Sequence, residues 1–202
     1  MMETMSKMAK LYFRYGAMNC GKTASLLQVI HNYEEKNMKV MLLKPSIDTK
    51  GDDMVISRIG LKRKVDYLID NTDNIFDKIS KSIDNIACIV VDEAQFLSGD
   101  QVNDLWLISK VKNIPVICYG LRTDFMMEGF PGSIALLEIA DDIEEMKTIC
   151  KCGKKATINV RKENGKYVFS GEQIAIDNDK SIEYESICGN CYIELLRQKE
   201  DD

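Results

Sequence analysis

Gly16, Gly21, Lys22 and Thr23 stand at the spacing G-x-x-x-x-G-K-[ST], in which backbone N–H groups can wrap the phosphates of a nucleotide. Gly16, Ala17, Met18, Asn19, Cys20 and Gly21 then make the loop; Lys22 reaches the β- and γ-phosphates and the Thr23 hydroxyl sits on Mg²⁺. The flanks agree: residues 10–15 read as a strand and 24–30 as a helix, whose N-terminus points its positive dipole end at the anion. The plain alternative is a tight glycine turn, which gains nothing from a lysine buried beside it.

A second acidic motif completes this chemistry. Asp92 and Glu93 directly follow the apolar run Ile86, Ala87, Cys88, Ile89, Val90, Val91. An acid at the end of a core strand, facing a phosphate loop, is where phosphoryl-transfer enzymes hold Mg²⁺; Asp92 fits that role. Glu93 is then placed to take a proton from a hydroxyl or a water. The rival reading, an acidic pair in a solvated turn, leaves the preceding strand and the upstream loop unexplained. Together the two motifs imply a nucleoside triphosphate with Mg²⁺.

Four of the seven cysteines crowd into the last quarter as Cys150/Cys152 and Cys188/Cys191. Two close thiolate pairs a few dozen residues apart suit one tetrahedral Zn²⁺, and four thiolates leave no open position, so such a site is structural. Reduced or redox-active thiols are the alternative. Cys88 and Cys118 lie in apolar runs and read as core thiols. Phe125 and Phe130 sit on loops after a strand end; they either sandwich a flat base or anchor those loops. The one histidine, His31, falls on the helix after the phosphate loop and reads as a surface residue, so proton transfer falls to a carboxylate.

The elements that must position these residues alternate. Short apolar runs at 40–43, 86–91 and 115–119 read as strands and 22–37, 73–84 and 99–112 as helices, which predicts an α/β fold with a parallel sheet and ligands at the strands' carboxyl ends. In the last helix Val102, Leu105, Trp106 and Ile108 share a face, so Trp106 reads as packing. Residues 46–62 are polar and read as a surface loop. From about Thr148 the character changes to short β-like pieces (156–160 and 167–170), and the tail 198–202 reads as frayed. The expected division is a nucleotide-binding domain over 9–147 and a small zinc-binding domain over 148–197.

Composition bounds the rest. The 202 residues suit one ordinary domain with a small appendage; 45% are hydrophobic, enough for a proper core. A net charge of -5 disfavours a broad nucleic-acid groove and offers no polybasic membrane patch. No apolar run approaches the roughly 20 residues of a membrane span. The first eight residues lack the apolar stretch of a secretory signal, and with seven unpaired-looking cysteines this predicts a reducing, cytoplasmic setting.

In this order the motifs resemble the type II thymidine kinases, the bacterial and human-cytosolic family. The likeness runs from Leu11 to Tyr192 and rests on residues 16–23, 92–96, 118–125 and 148–153, the last two in the form of the enterobacterial-like branch. It implies a RecA-like P-loop domain plus a small zinc-binding domain, transfer of the ATP γ-phosphoryl group to the thymidine 5′-hydroxyl, feedback inhibition by dTTP and a homotetramer. By position it implies Glu93 as general base, Thr23 and Asp92 at Mg²⁺, and Asp92 and Gln95 at the ATP phosphates. Met18, Leu121, Phe125 and Phe130 would line the thymidine pocket with Phe96 beside it. Tyr184 would contact the nucleoside, and a lasso loop carrying Ile174 and Ile176 would close over the base.

The chain also departs from the family. Its loop usually reads G-P-M-F-S-G-K, where Ala17, Asn19 and Cys20 stand here; none removes a phosphate-binding N–H. Asp177 and Asn178 replace the lasso Gly-Gly, and Lys50 stands where an arginine is expected. A helicase-like ATPase shares the Asp92–Glu93–Ala94–Gln95 motif but needs a second RecA-like lobe that this length excludes. A zinc-ribbon adaptor on a degenerate P-loop is disfavoured by the intact Lys22, Thr23, Asp92 and Glu93, and a GTPase by the lack of N-K-x-D.

Overall fold

The structure, a computed structural model, describes residues 8–48, 51–173 and 182–200. Strand β1 (Leu11–Tyr15) leads into helix α1 (Lys22–Glu34) and strand β2 (Lys39–Pro45). A hairpin, β3 (Met54–Ile56) with β4 (Lys62–Lys64), precedes β5 (Tyr67–Ile69) and α2 (Ile75–Ile79). Strand β6 (Ile86–Val91), a 3₁₀ turn (Ala94–Phe96), α3 (Gly99–Val111), β7 (Val116–Gly120), α4 (Pro131–Ile139) and β8 (Asp142–Glu145) complete the larger part.

The central sheet is six-stranded in the order β5-β2-β6-β7-β1-β8, and every pairing in it is parallel. Parallel strands need crossovers that cover both faces, so their residues must be apolar on both sides. Strand β6 shows this. Ile89 and Val91 join Leu105, Ile108 and Leu136 on the face of α2, α3 and α4, whereas Cys88 and Val90 join Leu26, Leu27 and Ile30 of α1 on the other. Helix α3 starts at a reciprocal cap: the Gln101 N–H donates to Ser98 Oγ, and the Ser98 N–H to Gln101 Oε1. Because all strands run the same way, Gly16, Asp48, Asp92 and Leu121 emerge at one edge.

Beyond β8 lies a second, smaller assembly around its own apolar cluster. Strands β9 (Thr148–Ile149) and β10 (Lys155–Ala156) pair with each other, and β11 (Ile158–Glu163) lies between β12 (Lys166–Val168) and β13 (Ile182–Ile187). Helix α5 (Gly189–Glu200) packs Tyr192, Leu195 and Leu196 onto this sheet.

Several expectations need correcting. Residues 46–62 are not simply a surface loop: they contain β3, whose Val55 is buried with Val65 in the α1-side core. The helix expected over 73–84 is limited to Ile75–Ile79, started by Asn74 Oδ1 accepting the Asp77 N–H. Residues 198–200 continue α5 rather than fray. Helix α4 and strand β8 were not expected. The first begins at Pro131, which the loop-like Gly129–Phe130–Pro131–Gly132 sequence disguises. The second is a polar edge strand held by Arg14–Glu144 (3.1 Å) and Lys10–Asp142 (3.6 Å) pairs. His31 is exposed beside Glu35, and Trp106 packs on the core, both as expected.

Gly132 shows how closely α4 abuts the 3₁₀ turn after β6. A Cβ there would lie 2.4 Å from the Ala94 carbonyl oxygen and 2.7 Å from that of Leu97, backbone atoms that cannot step aside. Gly132→Ala should therefore lower the melting temperature by roughly 3–10 °C, the usual scale of core overpacking in a chain of this size. Thermal denaturation by circular dichroism measures it; an unchanged Tm would show that α4 yields freely.

Candidate functional site

The loop between β1 and α1 holds two residues in the left-handed region. Gly21 at the helix N-cap has φ 84° and Asn19 has φ 64°, left-handed conformations that glycine and asparagine adopt most readily. Gly16 donates its N–H to the Gly120 carbonyl (3.3 Å), and a Cβ there would meet the Met146 carbonyl oxygen at 2.4 Å. Lys22, buried, donates from Nζ to the carbonyls of Gly16 (3.3 Å) and Ala17 (3.1 Å) and lies 3.7 Å from Cys20 Sγ. Its cation thus sits at the centre of the loop, at the N-terminus of α1, a place made for an anion.

A cavity of about 270 Å³ opens beside this loop. Met18, Asn19, Gly21, Lys22, Thr23, Glu93 and Leu121 line it together with Arg58, so seven of the residues expected at the site share one space. Arg58 is an addition. It comes from the turn after β3, where buried Ser57 accepts the Leu61 N–H and donates its Oγ–H to the Leu61 carbonyl.

Asp92 is buried. Burial first, and then the neighbouring Glu93 and Asp48 carboxylates, push its carboxyl up to about 8 against the pull of the Glu93 N–H and Lys22. Asp48 is itself ion-paired with the buried ammonium of Lys44 (3.0 Å). A sunken carboxylate among other acids is a hard oxygen donor set suited to a divalent cation.

Glu93 occupies the left-handed region at φ 48°, ψ 39°, a strained geometry for a residue with a side chain. Its carboxylate accepts a hydrogen bond from Gln95 Nε2 at 2.6 Å. Gln95, fully buried, also accepts the Leu121 N–H on Oε1 (3.1 Å), so one amide ties the end of β6 to the end of β7. The sequence reading put Gln95 at the ATP phosphates; here both ends of its amide engage protein groups, and it orients Glu93.

The aromatic residues are partly interior. Phe96 meets Phe130 edge-on at 5.7 Å, and Phe125 is buried under Arg161, whose guanidinium carbon lies 3.9 Å from the ring centre. Arg161 donates from Nη1 to the Glu172 carbonyl and pairs with Glu163, while its buried Nε has no partner among the described residues. Cross-strand register sets Arg161 opposite Tyr184 and Asn159 opposite Ser186, all on one face of β11 and β13. Neither Arg161 nor Asn159 was anticipated; their signal was a polar residue at a buried strand position. Ile174 and Ile176 lie outside the described residues.

The four C-terminal cysteines converge: all their Sγ atoms lie within 4.8 Å of one another, a set that could hold one metal ion. The Cys152 N–H holds Cys150 down at about 6, and the Cys191 N–H lowers Cys188. Hydrogen bonds with Cys152 and Cys150 push the Cys191 thiol up to about 12, and a metal bound there would displace its proton. Cys88 and Cys118 are buried core thiols, both raised by burial.

A family model described as thymidine kinase matches residues 9–192. The chain is 45% identical over 187 residues to a thymidine kinase of Chromobacterium violaceum, covering 92% of this chain and 98% of that one. It is 48% identical over 179 residues to a thymidine kinase of Legionella pneumophila strain Lens (86% and 85% covered). A thymidine kinase of Idiomarina loihiensis is 47% identical over 193 residues, with 94% and 98% covered.

The state of Asp92 has a measurable consequence. Its folded pKa of about 8 exceeds an unfolded value of about 3.9. Without divalent ions the unfolded chain therefore ionises first, and folding loses stability as pH rises through that window. Asp92→Asn removes the penalty, so in chelator its Tm should exceed that of the parent at pH 8.5, with the gap closing toward pH 5. Equal Tm values at both pH values would mean that Asp92 is ionised without strain.

Proposed function

The chain belongs to the thymidine kinase family, and we propose that its cleft moves the γ-phosphoryl group of ATP to the 5′-hydroxyl of thymidine through Glu93, Lys22 and the loop of residues 16–21. The observation that carries this is the Glu93 carboxylate, held by Gln95 at the wall of the cavity that the phosphate loop also lines. In the reaction the 5′-oxygen forms a bond to the γ-phosphorus while the bond to the β,γ-bridging oxygen breaks, releasing ADP. The 5′-hydroxyl proton passes to Glu93.

The transition state is loose, so positioning and charge stabilisation carry most of the rate. Lys22 and the loop N–H groups stabilise charge on the transferring group's oxygens. Thr23 and Asp92 would hold Mg²⁺, which when bound neutralises the charge between the β- and γ-phosphates. Glu93, far less basic than an alkoxide, aims the hydroxyl and takes its proton late. Met18, Leu121, Phe125 and Phe130, with Phe96 and Tyr184, would enclose the thymine.

We divide the chain into a kinase part, 9–147, and a metal-binding part, 148–197, each with its own apolar cluster in support. Zn²⁺ is the ion we assign to Cys150, Cys152, Cys188 and Cys191, a donor set typical of structural zinc. Family resemblance supports dTTP as feedback inhibitor, a homotetramer and the cytoplasm; no helix among the described residues is long and apolar enough to cross a membrane.

Label from γ-³²P-ATP should pass to thymidine out of a panel of the four deoxynucleosides. Glu93→Gln should retain ATP binding yet lose on the order of 10²-fold or more in kcat. Transfer to no nucleoside refutes the function; undiminished kcat in the variant refutes the base. For the metal, Cys188→Ser should lower bound zinc, read by atomic emission, from one ion per chain toward none and reduce Tm. Full zinc content in that variant would dismiss the assignment.

A further inference from the structure

The crest of the phosphate loop is held from outside the domain that carries it. Met18 donates its N–H to Asn159 Oδ1 at 2.8 Å, and its carbonyl accepts the Ser186 Oγ–H at 2.5 Å. Asn159 lies on β11 and Ser186 on β13, facing each other across the small sheet. Both side chains are buried, so these bonds are shielded from competing water. Asn159 also donates from Nδ2 to the Thr123 carbonyl (3.3 Å), in the loop that leads to Phe125.

The loop needs such a hold. One end is fixed by Gly16 against Gly120 and the other by α1, and between them Asn19 sits at positive φ. The Lys22 ammonium holds the Gly16 and Ala17 carbonyls, which leaves the Met18 peptide to Asn159 and Ser186.

We propose that Asn159 and Ser186 are positioning residues for ATP: they clamp the Met18 peptide and so hold the loop in its anion-binding shape. The clamp makes the small domain part of the nucleotide site. Ser186 stands two residues before Cys188, so the cysteine cluster that anchors the end of β13 also anchors one jaw. Loosening that cluster therefore weakens the donor site as well as whatever the small domain does for the acceptor. If only a fraction of molecules keep the loop competent, apparent affinity falls by that fraction.

The inference rests on reading residues 16–23 as the triphosphate site, and the test separates the two. Mg·ATP is titrated calorimetrically, with no nucleoside present, into the parent enzyme, Ser186→Ala, Asn159→Ala, the double variant and Ser186→Thr. Each alanine variant should bind about fivefold more weakly, the scale of one buried neutral hydrogen bond, and the double variant more weakly still. Ser186→Thr keeps the hydroxyl and should bind within about twofold of the parent.

Tyr167→Phe is the structural control. It removes a bond to Glu185 (2.9 Å) within the same small sheet, away from the loop, and should leave the ATP Kd alone whatever its Tm. Should Asn159→Ala not fold, Ser186→Ala carries the test, since it removes one oxygen. Unchanged ATP affinity in the folded alanine variants, or an equal loss in Tyr167→Phe, overturns the clamp. No binding by the parent enzyme instead overturns the triphosphate site itself.

Discussion

Parallel pairing of β1 with β7, and of β7 with β6, is the constraint on which the rest of the molecule depends. It brings Gly16, Asp92 and Leu121, distant in sequence, out of the sheet at one edge. Antiparallel pairing would scatter them to opposite ends. The pairing in turn requires crossovers on both faces, and those helices demand the apolar runs of β6 and β7. Chemistry at the edge and burial in the middle are thus two consequences of one arrangement.

At that edge, polar groups are placed by burial rather than by solvent. Gln95 shows the logic. A buried amide must satisfy both its ends, and the available partners are the Glu93 carboxylate and the Leu121 N–H. Satisfying them orients the acid and joins two strand ends. The strained backbone of Glu93 and the close contact of Gly132 with the carbonyls of the 3₁₀ turn belong to the same economy of space. Local geometry that would be costly alone is held by its surroundings.

The small sheet adds a third layer to the site. Asn159, Arg161, Tyr184 and Ser186 share the face that looks toward the phosphate loop and the Phe125 loop. A cluster of four thiols just beyond the end of β13 joins β13 and α5 to the β9–β10 turn. The appended sheet therefore braces the phosphate loop through Met18 rather than standing apart from it.

The amino-acid sequence alone determined the phosphate loop, the acid pair, the four thiols and the alternating α/β order. Each depends on local spacing: a turn needs its glycines, a buried strand its apolar run, a thiolate pair its tight bite. Tertiary structure decided the roles of Gln95, Asn159, Ser186 and Arg161, the start of α4 at Pro131 and the polar edge strand β8. Asn159, Ser186 and Arg161 carry no more than a polar residue at a strand position, and each takes its role from a partner remote in sequence. Met18 and Asn159 stand 141 positions apart, and only the folded chain brings the N–H of one to the oxygen of the other.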